Sequence, residues 1–202
     1  MNIRHRCSSR EALHGGHVPC SFFIGYTSSM KNVSIENFAI LDFEASSLSA
    51  ASWPIEIGLS WLANGQVQTW SSFIRPDPAW DLGDWSSQSA EVHGIPLSEL
   101  EDAPYAAEVA EAFLNVVGRR SLVSDAPEFE ERWLSRLLRT TRHVKSSSIE
   151  DFDAVSFAVF SGYALDMLYE TIERHPAPHR AGPDTARLAR GWLRATALQE
   201  PE

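Results

Sequence analysis

The sequence predicts one α/β domain in which a mixed β-sheet is flanked by helices. Three strand-like segments come first along the regular part of the chain, at residues 38–43, 55–62 and 67–74. Beyond them apolar residues recur with the period of a helix, interrupted by a short apolar segment at residues 121–124. This order predicts an antiparallel three-strand meander that is extended by parallel strands.

The first strands are predicted from two different apolar patterns. Residues 38–43 read Phe-Ala-Ile-Leu-Asp-Phe, a nearly continuous apolar run that is typical of a buried strand. Residues 55–62 alternate between apolar and polar side chains, as in a strand with one face toward solvent. Asn64 and Gly65 then predict a hairpin turn that leads into the return strand.

Four helices are predicted after the meander, over residues 106–117, 128–138, 156–172 and 185–198. A weak further strand is expected between the second and the third helix. Asp184 stands directly before the last helix and is suited to cap it. A long loop at residues 75–89 carries Trp80 and Trp85, which either stack on bases or cover the edge of the sheet.

Composition limits the classes of protein to consider. The 202 residues suffice for one domain with a substantial core, and 44% hydrophobic with 22% charged residues is ordinary for a globular protein. The net charge of −10 argues against a broad basic surface for long duplexes, although an enzyme that holds nucleotides through bound cations remains compatible. No apolar stretch approaches the ~20 residues of a membrane span, and the two cysteines do not predict a disulfide-stapled fold. A cytoplasmic location is therefore expected.

The N-terminal 35 residues differ from the rest, since they are rich in Ser, His, Arg and Gly and show no apolar period. They are expected to form a disordered or loosely attached arm, with the folded domain over residues 36–202. The sequence leaves open whether translation starts at Met1 or at Met30.

Acidic residues in two distant segments predict one catalytic centre. Asp42 and Glu44 follow the first buried strand at positions i and i+2, so their carboxylates share one side of it. Such a pair can chelate a hard divalent cation through oxygen. His179 and Asp184, at the start of the last helix, supply a base and a further ligand. Together these residues predict metal-dependent hydrolysis of phosphodiesters.

Each of these residues also has a plainer interpretation. Asp42 and Glu44 could form an exposed turn, and Asp184 could act only as a helix cap. His175 competes with His179 for the role of base, although the spacing to Asp184 favours His179. His93 is interpreted as structural or adjacent to substrate rather than catalytic.

In their order and placement these motifs resemble those of the DEDD superfamily of 3′–5′ exonucleases, in its histidine-containing (DEDDh) branch, over roughly residues 36–198. Asp42-x-Glu44 matches the first family motif, and His179-x4-Asp184 matches the third. His93-Gly94-Ile95 matches a tripeptide that the family often carries after the meander. The resemblance implies a ribonuclease H-like fold, and the segment at residues 42–48 resembles small bacterial exoribonuclease-like members.

The second family motif, an Asp on the helix after the fourth strand, is changed in this chain. Aligning Phe129 and Trp133-Leu134 with the family pattern places Glu130 at the Asp position. Glu130 keeps the carboxylate but moves it by about one methylene. Asp125, at the exit of the fourth strand, is the alternative for this role.

The resemblance implies hydrolysis with two divalent cations, Mg²⁺ or Mn²⁺, held by Asp42, Glu44, Glu130 and Asp184, with His179 as general base. The implied substrate is the 3′ end of single-stranded RNA or DNA, with RNA slightly preferred, and the implied product is a nucleoside 5′-monophosphate. Leu48 is expected to wedge against a base. A homodimer is compatible with the resemblance, because small relatives often pair.

Two helix faces and two other functions stay open at this level. The arginines of one face, at 132, 136 and 139, and of the other, at 187, 190 and 194, either track phosphates or form solvated surface. The alternative function is a catalytically silent relative that binds nucleic acid or a protein partner, which the change at Glu130 favours. A purely structural domain would leave the convergence of carboxylates unexplained.

Overall fold

The computed structural model describes residues 34–141 and 148–199. In this part of the chain, five strands form one sheet in the order β3-β2-β1-β4-β5. Neighbours in the meander are antiparallel, whereas β4 pairs in parallel with both β1 and β5. The predicted mixed α/β sheet is therefore confirmed. The strands are β1 (Phe38–Ala45), β2 (Pro54–Ala63), β3 (Gln66–Phe73), β4 (Ser121–Ser124) and β5 (Ile149–Asp151).

Helices cover both faces of this sheet. They are α1 (Ser87–His93), α2 (Ala106–Val117), α3 (Pro127–Leu138), α4 (Phe152–Val159), α5 (Gly162–Glu173) and α6 (Ala181–Thr196), with short 3₁₀ turns at Ile35–Asn37 and Leu97–Leu100. None of the helices in the described residues has both the length and the apolar character needed to cross a bilayer. The arm predicted at residues 1–35 lies outside the described residues, apart from Ser34 and Ile35.

The first four residues of strand β1 are apolar because the strand is buried there on both faces. Ala39, Leu41 and Phe43 belong to the core under α2 and α3, whereas Phe38 and Ile40 belong to the core under α5 and α6. Successive side chains of a strand point to opposite faces. Asp42 and Glu44 continue the series of Phe38 and Ile40, and they therefore point to the face that α6 covers.

The hairpin predicted between β2 and β3 is present. Asn64 has φ 54° and Gly65 has φ 70°, and positive φ at both central residues is the mark of a type I′ turn. This turn matches the right-handed twist of the two strands.

Two helix predictions and one loop prediction were wrong in detail. The helix expected over residues 156–172 is two helices, because the chain extends at Ser161 and Gly162 adopts φ 53°. This break lets the apolar side chains of both α4 and α5 reach the core around Trp192. The segment expected as one loop at residues 75–89 already contains the start of α1, whose apolar pattern is too short to show a helical period.

The start of the last helix was also placed too late. Helix α6 begins at Ala181 rather than at residue 185, and Arg180 is its N-cap residue. Asp184 lies in the first turn, where its Oδ2 accepts a hydrogen bond from the backbone N–H of Arg180 at 3.0 Å. Asp184 therefore stabilises the helix start from within the first turn, and its Oδ1 is left for another partner.

Candidate metal centre

Three carboxylates from opposite ends of the chain meet on the α6 face of the sheet. Asp42, Glu44 and Asp184 each offer an oxygen, and these oxygens all lie within 4.8 Å of one another. Asp42 and Glu44 come from the end of β1, and Asp184 comes from the first turn of α6. This grouping is the one that the sequence predicts from the first and third motifs.

A close contact between β2 and the start of α6 brings the third carboxylate in. Gly58 lies opposite Asp42 in the β1–β2 register. A Cβ at Gly58 would stand 2.2 Å from the carbonyl oxygen of Ala181, well inside van der Waals contact. On the helix side, a Cβ at Gly182 would stand 2.8 Å from Oγ of Ser71 on β3. Two glycines therefore let the helix start rest directly on the sheet.

A partly buried ion pair, in which Glu56 is the buried partner, holds the same helix start in place. Arg180 donates from Nε to Oε2 of Glu56 at 2.9 Å and from a terminal nitrogen to Oε1 at 3.0 Å. The backbone N–H of Ala181 donates to Oε2 of Glu56 at 3.1 Å. Glu56 is 4% exposed on β2 and lies opposite Glu44. This fork-shaped pair fixes the orientation as well as the position of the segment that carries His179 and Asp184.

His179 faces the carboxylates from the loop before α6. It lines a pocket of about 260 Å³ together with Asp42, Glu44, Asp125 and Asp184. Its φ of 53° lies in the left-handed region, which a residue with a side chain adopts only where its surroundings impose it. Arg180, the next residue, is fixed by its two hydrogen bonds to Glu56. His175, the competing candidate, lines a different pocket.

The two alternatives for the second-motif carboxylate lie in different surroundings. Asp125 follows β4, remains exposed to solvent and lines the same pocket as Asp42, Glu44 and His179. Glu130, on α3, is 2% exposed and borders a neighbouring pocket instead. Glu130 is not one of the three residues whose oxygens lie within 4.8 Å of one another.

The electrostatics of the site favour a bound cation. Burial first, and then the charges of Glu44, Asp125 and Asp184, raise the pKa of Asp42 well above its usual value. Burial, followed by Glu56 and Asp184, raises the pKa of Glu44 to about 7, while Arg180 opposes this shift. Burial and the neighbouring carboxylates also raise the pKa of Glu130. A divalent cation among these groups would remove the repulsion that the shifts express.

The donor set fits such a cation. Oδ1 of Asp184 is buried and has no hydrogen-bond partner, with Nε of Arg187 3.6 Å away. Oε2 of Glu130 is likewise buried without a partner. Hard cations such as Mg²⁺ prefer carboxylate oxygens, and an unpaired buried oxygen is costly unless something binds it.

An apolar pocket of about 380 Å³ adjoins the acidic one and shares Phe43 and Glu44 with it. Leu48, 71% exposed, lies on its rim in a loop that Asp84 and Trp133 hold at its base. Oγ of Ser47 donates to Asp84 at 2.9 Å, and the indole N–H of Trp133 donates to Oγ of Ser52 at 2.9 Å. The sequence placed Leu48 near substrate, but nothing in its local pattern pointed to Asp84.

Other candidate residues have structural partners. Trp80 and Trp85 pack on the buried Trp53, with ring centroids 6.1 and 5.8 Å from it, and thus cover the core beside the sheet. Nδ1 of His93 accepts a hydrogen bond from the N–H of Ile95 at 3.0 Å, and burial lowers the pKa of this 5% exposed imidazole.

The arginines of α3 also bind protein groups. Arg132 donates to Oγ of Ser52 at 3.4 Å, and Arg136 donates to the carbonyl of Ala51. These two side chains therefore help to hold the loop that carries Leu48.

Comparisons with known proteins show which solved structures share this fold. The sequence matches no protein-family model and no curated protein. Solved structures do match, although at low identity. A 3′-exonuclease that recognises the histone mRNA stem-loop at its 3′ end gives a TM-score of 0.58 at 16% identity, over 82% of this chain and 84% of that chain.

Two further solved structures have a similar fold. The nuclease domain of 3′hExo, a DEDDh family member bound to rAMP, gives a TM-score of 0.56 at 17% identity, over 79% of this chain and 91% of that chain. Exonuclease I of E. coli, in complex with a dA16 oligonucleotide, gives 0.58 at 12% identity, over 79% of this chain and 40% of that chain. The chain therefore has the ribonuclease H-like fold of the DEDDh 3′-exonucleases.

Proposed function

We propose that this protein is a metal-dependent 3′–5′ exonuclease that removes nucleoside 5′-monophosphates from single-stranded nucleic acid. The observation that carries the proposal is the convergence of Asp42, Glu44 and Asp184 within 4.8 Å, in a pocket that His179 also lines. The shared fold supports it, since structural neighbours include nucleases in complex with rAMP and with an oligonucleotide.

Asp42, Glu44 and Asp184 would hold one divalent cation, and Asp42 would share a second with Glu130 or Asp125. When bound, two cations, Mg²⁺ or Mn²⁺, activate water and neutralise the charge that develops on the phosphate. Asp42, Glu44 and Asp184 would hold the cations at the place where the scissile phosphate binds. His179 accepts the proton of the attacking water as general base.

The apolar pocket would receive the terminal nucleoside. It adjoins the carboxylates through Phe43 and Glu44, so a nucleoside seated there places its 5′-phosphate toward Asp42 and His179. The exposed Leu48 and Phe129 on its rim offer apolar surface to a base. We propose RNA as the preferred substrate on the resemblance of residues 42–48 to exoribonuclease-like relatives. A cytoplasmic location and a homodimer likewise remain predictions.

The test of this function is digestion of 5′-labelled single-stranded RNA and DNA with Mg²⁺ and with Mn²⁺, resolved at single-nucleotide steps. We expect a ladder that shortens from the 3′ end and disappears with a chelator. Asp42→Ala should reduce the rate by more than about 100-fold, because changes to groups that only support metal ligands already cost about 10- to 100-fold. A purified, folded Asp42→Ala protein that is as active as wild type would refute the site.

A second candidate function is that of a silent relative that binds strands without cleaving them. It is favoured by the position of Glu130, which is buried beside the apolar pocket rather than in the group of three carboxylates. Strand binding with no ladder under either metal would support it. Asp125→Asn and Glu130→Gln then distinguish the two carboxylates, since only the variant of a metal-holding residue should weaken Mn²⁺ binding measured by calorimetry.

A further inference from the structure

A basic groove lies next to the acidic pocket, on the other side of the loop that carries His179. The groove has a volume of about 510 Å³, within the range of about 300–1,000 Å³ that is usual for ligand sites. Its polar lining consists of Thr69 and Ser71 on β3, His175 after α5, and Arg187 and Arg190 on α6. None of its lining residues is acidic, although the chain as a whole carries a net charge of −10.

The loop between α5 and α6 forms the wall between the two sites. Ala177 and His179 line the acidic pocket, whereas His175, Pro176 and Pro178 line the groove. Arg187 lines both sites, and its Nε lies 3.6 Å from Oδ1 of Asp184. The groove therefore adjoins the acidic pocket, and Arg187 lies between the two.

The groove presents hydrogen-bond donors as well as charge. Arg187 donates to the backbone carbonyl of Ile172 at 3.3 Å, which fixes its guanidinium at the groove wall. Its Nε is buried and has no hydrogen-bond partner. Nδ1 of His175 lies 2.9 Å from the carbonyl oxygen of Thr171, a contact that fixes the ring at the groove wall. Arg190, one turn beyond Arg187, extends into solvent.

The three pockets succeed one another in a fixed order. The apolar pocket shares Phe43 and Glu44 with the acidic pocket, and the acidic pocket shares Arg187 with the basic groove. A strand with its terminal nucleoside in the first pocket and its scissile phosphate in the second must leave the site away from the first. The groove is the neighbouring surface whose charge suits the phosphates of the remaining strand.

We propose that the groove between β3 and α6 binds the phosphate backbone of the strand upstream of the scissile bond, with Arg190 as a direct phosphate contact. This inference rests on the proposed exonuclease function and deepens it. It assigns the affinity for long substrates to a surface that takes no part in hydrolysis. A dinucleotide, which has no further phosphates upstream, gains nothing from the groove.

The test compares Arg190→Ala with Arg194→Ala, which removes the same charge from the same helix outside the groove. Arg187 is unsuitable because it also lines the acidic pocket and contacts Asp184. Binding of a labelled single strand of roughly 12 nucleotides, within the span of known single-strand sites, is measured by fluorescence anisotropy with Ca²⁺ as a non-hydrolysing cation. Turnover of a dinucleotide is measured with Mn²⁺.

We expect Arg190→Ala to weaken binding of the long strand about 3- to 10-fold at low salt. The slope of log K against log salt should fall by about 0.7, as for one lost phosphate contact on a single strand. Dinucleotide turnover should not change, and Arg194→Ala should match wild type in both measurements. Arg190→Glu should weaken binding further, whereas Arg194→Glu should have a smaller effect.

Equal effects of Arg190→Ala and Arg194→Ala on strand binding would overturn the proposed role of the groove, since binding would then depend only on net charge. An equal loss of dinucleotide turnover in Arg190→Ala would also overturn it, because the residue would then act at the site of hydrolysis. Wild-type protein that binds the strand but releases no nucleotide would instead refute the exonuclease function and leave the binding comparison intact.

Discussion

At the scale of single residues, the carboxylates of the site couple stability to pH. Burial, together with neighbouring carboxylates, raises the pKa of Asp42, and it raises the pKa of Glu44 to about 7. In the unfolded chain a glutamate titrates near about 4.3. The folded, metal-free protein therefore holds protons that the unfolded chain releases between these values. The resulting stability is fully present below the unfolded pKa and is lost as the pH rises through about 7.

The metal-free protein should consequently become more stable as the pH is lowered from about 8 to about 5, before general acid denaturation begins. Mn²⁺ should raise the melting temperature more at the higher pH, because it competes with protons for the same oxygens. Thermal denaturation in chelator and in Mn²⁺ across this range measures both effects. Glu44→Gln should flatten the metal-free profile, and an equally steep profile in this variant would contradict the assignment.

The pair between Glu56 and Arg180 is expected to position the site without touching substrate. Glu56→Gln removes the charge that accepts from Arg180 and from the N–H of Ala181, so the segment with His179 and Asp184 loses its orientation. We expect kcat to fall about 10- to 100-fold, as for other groups that support metal ligands, and Mn²⁺ affinity to fall with it.

Glu170→Gln provides the matched control for this change. Glu170 pairs with Arg174 on the exposed surface of α5, and such pairs are worth about 0–1 kcal/mol. This variant should keep full activity. A Glu56→Gln protein that retains wild-type kcat and Mn²⁺ affinity would show that the helix start is held by other contacts.

At the scale of elements, the site depends on how closely α6 approaches β2. Gly58→Ala would place a methyl carbon 2.2 Å from the carbonyl oxygen of Ala181. Neither atom can move without a shift of its backbone segment. The helix start must then move away from Asp42 and Glu44. We expect a loss of stability at the upper end of the usual ~1–3 kcal/mol for overpacking, and a larger proportional loss of activity.

Denaturant unfolding and nuclease rates together measure this effect. Gly83→Ala serves as the control, because a Cβ there would approach only the side chain of Asp81, at 3.1 Å, in an exposed loop. Normal activity in Gly58→Ala would mean that α6 does not set the geometry of the carboxylates.

Local patterns predicted some elements closely and others poorly. Helix α2 and strand β4 have the predicted bounds, because their apolar periods end at clear breaks such as Gly118. The break between α4 and α5 was missed because residues 156–172 remain apolar through it. It depends on packing around Trp192 and on the positive φ of Gly162, neither of which changes the apolar pattern.

At the scale of the whole molecule, the net charge of −10 should make strand binding depend on cations. Carboxylates line the pocket where the scissile phosphate would bind, and like charges at close range repel it. We expect binding of a single strand to be at least about tenfold weaker in chelator than in Ca²⁺. Fluorescence anisotropy at constant ionic strength measures this difference.

The double variant Asp42→Asn with Glu44→Gln tests the cause of that dependence. At about pH 8, above the pKa of about 7 of Glu44, it removes up to two negative charges from the pocket, so it should bind the strand more tightly than wild type in chelator and gain little from Ca²⁺. Identical binding of both proteins with and without Ca²⁺ would assign the strand to a surface remote from these carboxylates.

The sequence by itself determined the fold class and pointed to Asp42, Glu44, His179 and Asp184, whereas it left the choice between Glu130 and Asp125 open. An apolar run that ends in Asp42-x-Glu44, and a late His179-x4-Asp184, carry this information in local spacing, which tertiary packing does not alter. Burial of the first half of β1 on both faces also follows from its unbroken apolar run at residues 38–41.

The tertiary structure alone decided how Asp42, Glu44 and Asp184 come within 4.8 Å of one another. That distance depends on Gly58, on the Glu56–Arg180 pair and on the early start of α6, which join segments more than a hundred residues apart. The basic groove arises in the same way, since Thr69, His175 and Arg190 become neighbours only when α6 lies across β3. Contacts between distant segments have no period in the sequence, and packing of the folded chain is what defines them.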